Sequence, residues 1–476
     1  MKSKYRCIFY FLSFAILFLL TLKISPLADD WYYLTSPNLN PELTQLLPNE
    51  LFWRPFDALF GFLLGQIPML FPYLNRAFVI TAHILSVYYM EKCLRHFEIK
   101  DWVVNFCVLY AMFSSAIYAT IVSPDGLNQA CGLLFGLIGM YQYIKYPNKL
   151  NYVFFCAIST LWKESGMVWI CVIPFLSIMI SSKRISSIFT DKKIRIKTLN
   201  AVIIACAFVI VYFSLRFALL GSITLGNPNS RYSLSLFSLG ALKNFVNIFA
   251  NAMTGIDTIS LFVKTSSPIP FIITLLLSVM FLCYMMYLLV RIIQKRENII
   301  KIFALIVGAI IISLPHIAMG SAGEMHTYPT IFFICLIYSF LLNNAPTSSL
   351  KSLVPFAICI FIAFSISASH KLTAIYDYSN RTDSLSSKMK ENYTNSEDSL
   401  LIISLNENNG YSVFTQSAIA GTSYGESMKQ YFDWQDLPIS YAKVDHMNEV
   451  GICINQNLKK FDKIWLIQND EIKLVK

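Results

Sequence analysis

Residues 199–220, LNAVIIACAFVIVYFSLRFALL, decide the class of this fold. A helix of about 20 apolar residues crosses the hydrocarbon core of a bilayer, and this stretch contains a single charged residue, Arg216. Similar apolar runs recur over most of the chain, which predicts a bundle of about eleven transmembrane helices. The predicted spans are residues 7–25, 76–91, 102–123, 127–144, 151–162, 167–182, 199–220, 269–290, 302–320, 329–343 and 353–369.

The composition agrees with a membrane protein. Hydrophobic residues make up 55% of the 476 positions and charged residues only 14%, against about 25% charged in an average soluble protein. These values exclude a soluble globular protein and a disordered chain. The 11 cysteines contain no CxxC pair and lie mostly in apolar segments, so neither a disulfide scaffold nor a zinc site is indicated.

The net charge of +10 raises the possibility of a nucleic-acid partner, but the placement of the charges argues against it. Nineteen Lys and Arg residues fall in the predicted cytoplasmic segments of the membrane part, and eight fall in its external segments. This bias follows the positive-inside rule and predicts a cytoplasmic N-terminus. An odd number of spans then places the C-terminal residues on the extracytoplasmic face.

The spans predict two domains. Residues 1–369 form an all-α polytopic transmembrane domain, whose external loop 26–75 contains an acidic pair. Two other interrupted apolar segments, 56–72 and 241–267, are expected to lie on the outer face or dip into it. Residues 370–476 form a small α/β extracytoplasmic domain, because LLIIS (400–404) and KIWLIQ (463–468) are typical of strands between Asn/Ser-rich turns.

Two groups in the first external loop could take part in chemistry. Asp29 and Asp30 follow the first span in PLADDWYYL, and adjacent carboxylates near a membrane interface suit a general base. Arg54, in WRPF, could grip a phosphate with two parallel bonds. The alternative for the acidic pair is that it only begins a solvated external loop. The alternative for Arg54 is that it lies at the lipid–water interface beside Trp53, in the aromatic belt of the membrane. Trp31 could stack on a sugar.

Further candidates lie at later external turns. Lys163 and Glu164, in TLWKESGMVW, are expected to line a polar cavity, because charges near membrane depth are expensive unless they face one. Asp125, in SPDG, could contact substrate, although this sequence is also a good turn. The remaining candidates for binding a phosphate or a substrate are Arg231, Glu324, His326 and Tyr328.

The motifs of nucleotide-dependent and hydrolytic enzymes do not occur in a suitable context. The sequence has no GxGxxG, Walker, HExxH or GxSxG element placed where its chemistry requires. The energy for a synthetic reaction is therefore expected to come from an activated, lipid-borne substrate.

Several motifs, taken in order, resemble the type C glycosyltransferase superfamily. They are the acidic pair after the first helix, WRPF at the end of the first external loop, NRAFVITAHIL (75–85) in the second helix and LWKESG (161–166) at an external turn. The nearest likeness is to protein O-mannosyltransferase-like and bacterial polyprenyl-phosphate-sugar-dependent members. The motifs cover about the first 170 residues, and the predicted topology extends the likeness to the whole chain.

This resemblance implies transfer of a sugar from a polyprenyl-phosphate donor to a hydroxyl of a glycan, lipid or protein acceptor. The reaction would occur on the extracytoplasmic face of a bacterial inner or plasma membrane. Asp30, or else Asp29, would be the base, and Arg54 and Lys163 would neutralise the donor phosphate. Glu164 would orient Lys163 or contact the sugar. His326 stands where relatives often have an arginine, which puts phosphate binding at that loop in doubt.

The acidic pair is not the spaced DxD that binds a metal with a nucleotide sugar, so no obligatory metal cofactor is expected. Two other functions stay open. An O-antigen polymerase or ligase would use Arg and His residues of a late external loop, such as Arg231 and His326. A lipid-linked-sugar flippase or other transporter would place charged residues in the middle of spans. A membrane scaffold that presents the C-terminal domain is the third possibility.

Overall fold

The structure is a computed structural model, and its helices and strands occupy most of the chain. It describes residues 3–28, 30–31, 34, 53–122, 126–181, 191–221, 235–257, 268–295, 299–320, 322–345, 350–405, 417–432 and 435–476. The helices of these residues are α1 (Ser3–Thr21), α2 (Pro55–Gly65), α3 (Phe71–His96), α4 (Asp101–Phe113), α5 (Tyr118–Val122), α6 (Gly126–Lys145), α7 (Asn151–Trp162), α8 (Val168–Ser181), α9 (Lys192–Leu220), α10 (Leu239–Thr254), α11 (Pro268–Lys295), α12 (Ile299–Ile317), α13 (Tyr328–Asn343), α14 (Leu350–Asn392), α15 (Ala418–Gly421) and α16 (Met447–Asn457).

The predicted helical membrane domain is confirmed, whereas the predicted count of eleven spans is not. Within the described ranges, five helices are long and apolar enough to cross a membrane: α9, α11, α12, α13 with its preceding turn, and α14. A sixth would be the pair Asp101–Phe113 and Ser115–Val122, which a 42° bend separates. Ser114 lies at this bend and donates its hydroxyl to the carbonyl of Gly255 at 2.7 Å.

Helix α13 lies at the centre of the bundle, where every residue from Tyr328 to Leu342 is buried. Helices α9 and α11, by contrast, expose many apolar side chains, as helices in contact with lipid do. Helix α10 enters the bundle from one end and terminates inside it. Its last turn accepts hydrogen bonds from the hydroxyls of Tyr110 and Tyr338, 2.9 and 2.6 Å from the carbonyl of Met253.

The candidate residues lie at one end of the bundle, called here the Asp30 end. Arg76, near the start of α3, donates to the carbonyl of Thr21 at the end of α1. Gln129, near the start of α6, donates to the carbonyl of Met325, just before α13. At the opposite end, the hydroxyl of Tyr10 donates to Glu91 at 2.6 Å.

The C-terminal residues form the predicted small α/β domain. Four strands, β1 (Leu400–Leu405), β2 (Ile439–Val444), β3 (Lys463–Gln468) and β4 (Glu471–Leu474), pair in the order β2-β1-β3-β4. Strand β1 is parallel to β2 and β3, and β4 is antiparallel to β3. The end of α14 and the helix α15 pack on one face of the sheet, and α16 packs on the other.

Helix α14 joins the two domains without a break at the predicted boundary, residue 369. Its first half belongs to the membrane domain, and its second half packs against the sheet. Lys371, two residues beyond the predicted span, contacts Asp257 with 2.8 Å between Nζ and Oδ2, and both side chains are 1% exposed. This ion pair fixes α14 to the segment that follows α10.

Candidate active site

The predicted residues Arg54 and Glu164 form an ion pair at the Asp30 end. Nε of Arg54 lies 2.7 Å from Oε2 of Glu164, and the backbone N–H of Trp53 donates to Oε1 at 3.3 Å. Glu164 is buried and Arg54 nearly so. The structure therefore pairs Glu164 with Arg54, whereas the resemblance suggested that Glu164 orients Lys163 or contacts the sugar.

Lys163 begins a short chain of buried polar groups. Its Nζ donates to Oδ1 of Asn128 at 3.1 Å, and Nδ2 of Asn128 donates to Oδ2 of Asp57 at 3.2 Å. Asp57 lies in the first turn of α2 and Asn128 in the first turn of α6. Sequence reasoning identified neither Asp57 nor Asn128 as a site residue, because their neighbours in space are far away in the chain.

The turn formed by the KESG motif is tight, and it requires a glycine at position 166. A Cβ at Gly166 would lie 2.4 Å from the carbonyl oxygen of Ser159, a backbone atom that cannot move aside. The chain therefore folds back over the end of α7, and Lys163 has an extended backbone between α7 and the 3-10 turn Glu164–Met167. This fold directs Lys163 and Glu164 to separate partners.

Two histidines lie beside these charges. The rings of His316 and His326 are 4.6 Å apart between centroids, and His316 is within electrostatic reach of Lys163 and Arg54. Nδ1 of His326 lies 2.8 Å from the amide nitrogen and 3.0 Å from the carbonyl oxygen of Gly323, so Gly323 occupies this ring nitrogen in either tautomer. His316 is 3% exposed, and its Nδ1 has no hydrogen-bond partner among the described residues.

Sequence reasoning missed His316, which ends the apolar run of α12 in ISLPHIA. The signal was a polar side chain after a proline in an otherwise apolar helix, close to the predicted outer face. A buried polar atom without a partner is uncommon and calls for an explanation. A ligand that supplies the missing hydrogen bond at Nδ1 is one such explanation.

Helix α9 contributes a further cation. Arg216 is 2% exposed and hydrogen-bonds to Tyr212, which is itself within electrostatic reach of Glu164 and Arg54. Arg54, Lys163, Arg216, His316 and His326 are called here the basic cluster. Among the described residues, its three permanent cations lie near two carboxylates, Glu164 and Asp57. A concentration of cations in a buried place suits an anionic group.

Asp30 is held in a tight turn at the same end of the bundle. Its Oδ2 accepts from the N–H of Leu27 at 2.9 Å and lies 4.0 Å from Nη2 of Arg76. Both side chains are buried. Arg76 also donates to the backbone carbonyls of Thr21, Ile24 and Ser25, so it fastens the end of α1 to α3. The guanidinium compensates the buried carboxylate.

Two predicted substrate-contacting residues lie in apolar surroundings. Tyr328 is fully buried, and its hydroxyl is 2.8 Å from Nδ1 of His83. Trp31 packs against Leu64 and Phe71 between α2 and α3. Because α2 begins beside Arg54 and its other end contacts Trp31, this helix joins the basic cluster to the turn that contains Asp30.

The other predicted residues are only partly placed. The backbone of Glu324 begins the 3-10 turn Glu324–Thr327, which precedes α13. Asp29, Asp125 and Arg231 lie outside the described residues. In the part of the chain that the structure describes, no group of three or more His, Cys, Asp or Glu side chains is arranged to hold a metal ion.

No protein-family model matches this chain, and no curated protein matches it. A solved structure of the archaeal oligosaccharyltransferase AglB from Archaeoglobus fulgidus, in complex with an inhibitory peptide and a dolichol-phosphate, is similar over 90% of this chain. The two chains are 11% identical, and the TM-score is 0.41. The present chain spans 64% of the length of that structure. The function proposed below rests on the site's own residues.

Proposed function

We propose that this chain is an integral-membrane glycosyltransferase of the type C class. It would move a sugar from a polyprenyl-phosphate donor to a hydroxyl of a glycan, lipid or protein acceptor. The observation that carries the proposal is the basic cluster, which α7, α9, α12 and the segments before α2 and α13 build at the Asp30 end of the bundle. The motif order from the acidic pair to KESG supports the same assignment.

The basic cluster is the site for the donor phosphate. As the glycosidic bond breaks, the phosphate leaves with the bonding electrons and gains negative charge. Arg54 and Lys163 stabilise that charge, and fixed cations are worth more in a water-poor site than in water. Glu164 and Asn128 hold the two cations in place before the donor arrives. The rings of His316 and His326 lie beside these cations and add hydrogen-bonding groups for the phosphate.

Asp30 is the general base. It takes the proton of the acceptor hydroxyl while that oxygen bonds to the anomeric carbon of the sugar. Base catalysis of this kind contributes typically 10²–10⁴-fold. Arg76 keeps the carboxylate in position through a charge contact, and the Leu27 N–H adds a hydrogen bond. The acceptor proton goes to Asp30, and the polyprenyl phosphate leaves from the basic cluster. Because the activated donor supplies the energy, no nucleotide is consumed.

The membrane setting follows from the charge bias of the sequence. The predicted spans, with a cytoplasmic N-terminus and an external C-terminal domain, would put the Asp30 end on the extracytoplasmic face. The polyprenyl tail would lie between helices in contact with lipid, and the activated lipid would supply the energy of the reaction. No obligatory metal is part of this mechanism.

One observation favours a transporter instead. Lys371 and Asp257 form an ion pair buried within the bundle, as transport pathways often require. The N–H of Asp257 also bonds to the hydroxyl of Ser115, and Ser115 bonds to Ser367. These contacts favour a structural link, and they lie outside the basic cluster. A transporter would lose function in the stable double variant Asp257→Leu/Lys371→Met, whereas the glycosyltransferase would lose it in Asp30→Asn.

The proposal is tested by mass spectrometry of lipid extracts. Cells with the native protein, without it, or with Asp30→Asn are compared at equal protein level. A polyprenyl-phosphate sugar should accumulate equally in the null and Asp30→Asn cells, and its mass identifies the sugar. Asp101→Asn is the matched control, because Asp101 also pairs with an arginine but lies at the opposite end of the bundle. No accumulation in the null cells would overturn the proposal.

A further inference from the structure

The turn that contains Asp30 is in direct contact with the C-terminal domain. The turn, to which Leu27, Ala28, Asp30 and Trp31 belong, is closed by hydrogen bonds from Asp30 N–H to Leu27 O and from Trp31 N–H to Ala28 O. The N–H of Ala28 donates to the carbonyl of Gly421, the last residue of α15, at 2.7 Å. The turn is thus held by α3 through Arg76 and by the C-terminal domain through Gly421.

The contact occurs where the backbone is least relaxed. Ala28 has a φ of 49°, in the left-handed region that residues with a Cβ seldom adopt. Such a conformation persists only where surrounding contacts hold it, and it is often found at functional sites. The bond to Gly421 is made by the N–H of this same residue, two positions before Asp30.

The chain preceding the turn is bound to the C-terminal half of α14 as well. The N–H of Ser25 donates to Oγ of Ser379 at 2.9 Å, and the hydroxyl of Ser25 donates to Asp383. The hydroxyl of Tyr376 donates to the carbonyl of Leu20 at the end of α1. One side of the segment is therefore lined by α14 over two turns.

The carbonyl of Gly421 is itself fixed by the sheet. Asp470, directly after β3, accepts from the N–H of Ala418 at the start of α15 and pairs with Arg381 of α14, each at 2.8 Å. Helix α15 lies so close to α14 that a Cβ on Gly421 would be 2.1 Å from Oγ1 of Thr382. A residue with a Cβ would clash with Thr382 at this position. The absence of a side chain at Gly421 therefore allows α15 to pack closely against α14.

We propose that the C-terminal domain positions the general base. The Gly421 carbonyl holds Ala28 in its left-handed conformation, which sets the turn and places Asp30 beside Arg76. Gly421 is a positioning residue and does not touch substrate. This role rests on the proposed function in one respect, namely that Asp30 is the base. It gives the external domain a part in the transfer step in addition to any part in binding the acceptor.

The test uses a steric change and its relief in the full-length protein. Gly421→Ala should push α15 away from α14 and break the bond to Ala28. Thr382→Ala should relieve this, because it removes Oγ1 and Cγ2, and the Thr382 hydroxyl makes no hydrogen bond within the described residues. The matched control is Gly451→Ala in α16, where a Cβ meets no atom within 4 Å.

Two readouts separate positioning from general damage. Hydrogen exchange of the detergent-solubilised protein reports on residues 24–31, and lipid extracts report on turnover through the accumulated donor. Gly421→Ala should speed exchange in this segment and lower turnover by roughly 10²-fold, as small misplacements of catalytic groups do. The double variant Gly421→Ala/Thr382→Ala should restore both, and Gly451→Ala should change neither.

Faster exchange with native turnover in Gly421→Ala would overturn the positioning role and leave the proposed function intact. Loss of turnover without faster exchange, or without rescue by Thr382→Ala, would overturn it too. If Gly421→Ala does not accumulate, Asp470→Ala tests the same contact from within the C-terminal domain, because it removes the acceptor of the Ala418 N–H at the start of α15 and should also speed exchange and lower turnover. If the native protein consumes no lipid-linked sugar, the proposed function fails, and the exchange data still report whether the domain holds the turn.

Discussion

The carboxylate of Glu164 lies 2.7 Å from Nε of Arg54, although 110 residues separate the two along the chain. The pair brings the WRPF and KESG motifs together at one end of the helical bundle. Lys163 instead donates a hydrogen bond to Asn128. The two cations, Arg54 and Lys163, therefore lie at separate points of a buried region beside His316 and His326. The arrangement suits an anion that bridges the two cations, such as the phosphate of a lipid-linked sugar.

Glu164→Gln should lower turnover by about tenfold or more without loss of protein. The amide retains one hydrogen-bond acceptor for Arg54 but loses the charge that orients the guanidinium. Turnover is measured as the donor remaining in lipid extracts at equal protein level. Glu426→Gln is the control, because Glu426 also pairs with a cation but lies in the C-terminal domain. Native turnover in Glu164→Gln would show that the pair is not needed for catalysis.

Lys163→Met should reduce turnover by roughly 10²–10³-fold, the loss seen when one group that stabilises developing charge is removed. Methionine has a side chain of similar length but lacks the charge and the bond to Asn128. The control is Lys145→Met at the opposite end of the bundle, where the lysine lies over Tyr146. If both variants turn over donor equally, Lys163 does not contact the phosphate.

His316→Asn should retain much more turnover than His316→Phe. The Asn amide can place a polar atom near the position of Nδ1, whereas Phe fills the space without one. This contrast is expected because Nδ1 of His316 lacks a hydrogen-bond partner among the described residues, and the ring lies beside that of His326 in the basic cluster. Initial rates at several donor concentrations separate weaker binding from slower transfer. Equal rates in the two variants would mean that the ring only fills space.

Lys371→Met should destabilise the protein by about 3–5 kcal/mol, because it leaves the carboxylate of Asp257 buried without its partner. The double variant Asp257→Leu/Lys371→Met should recover most of that loss, since removing both charges of a buried pair is often neutral. Thermal unfolding of the detergent-solubilised protein measures the difference. A double variant as unstable as the single one would show that the ion pair itself stabilises the fold.

Local patterns in the sequence predicted much of the fold. Apolar runs located the helices from α6 to α13, and the LLIIS and KIWLIQ segments became β1 and β3. The continuation of α14 to Asn392 was not predicted, because the apolar run ends near residue 369. Its second half carries helical spacing instead, with Ile375, Tyr378, Leu385 and Met389 buried at intervals of three, seven and four residues.

The candidate site was predicted only in part. Arg54, Lys163, Glu164 and Asp30 stand next to recognisable motifs, so their residue type and sidedness were sufficient to select them. Their partners could not be predicted. Asn128 comes next to Lys163, and Arg76 next to Asp30, only when separate helices pack together. His316 was not predicted for a similar reason. A single histidine in an apolar run does not indicate which charged residues will surround it after folding.

The most direct test of the central claim adds purified protein to lipid extracted from cells that lack it. Native protein and Asp101→Asn should consume the accumulated polyprenyl-phosphate sugar in the presence of acceptor-containing membranes and release polyprenyl phosphate. Asp30→Asn should leave the donor intact while still binding it, and Lys163→Met should bind it more weakly. Equal consumption by Asp30→Asn and native protein would contradict the assignment of Asp30 as the base. No consumption by native protein of any lipid-linked sugar in the extract would contradict the glycosyltransferase assignment itself.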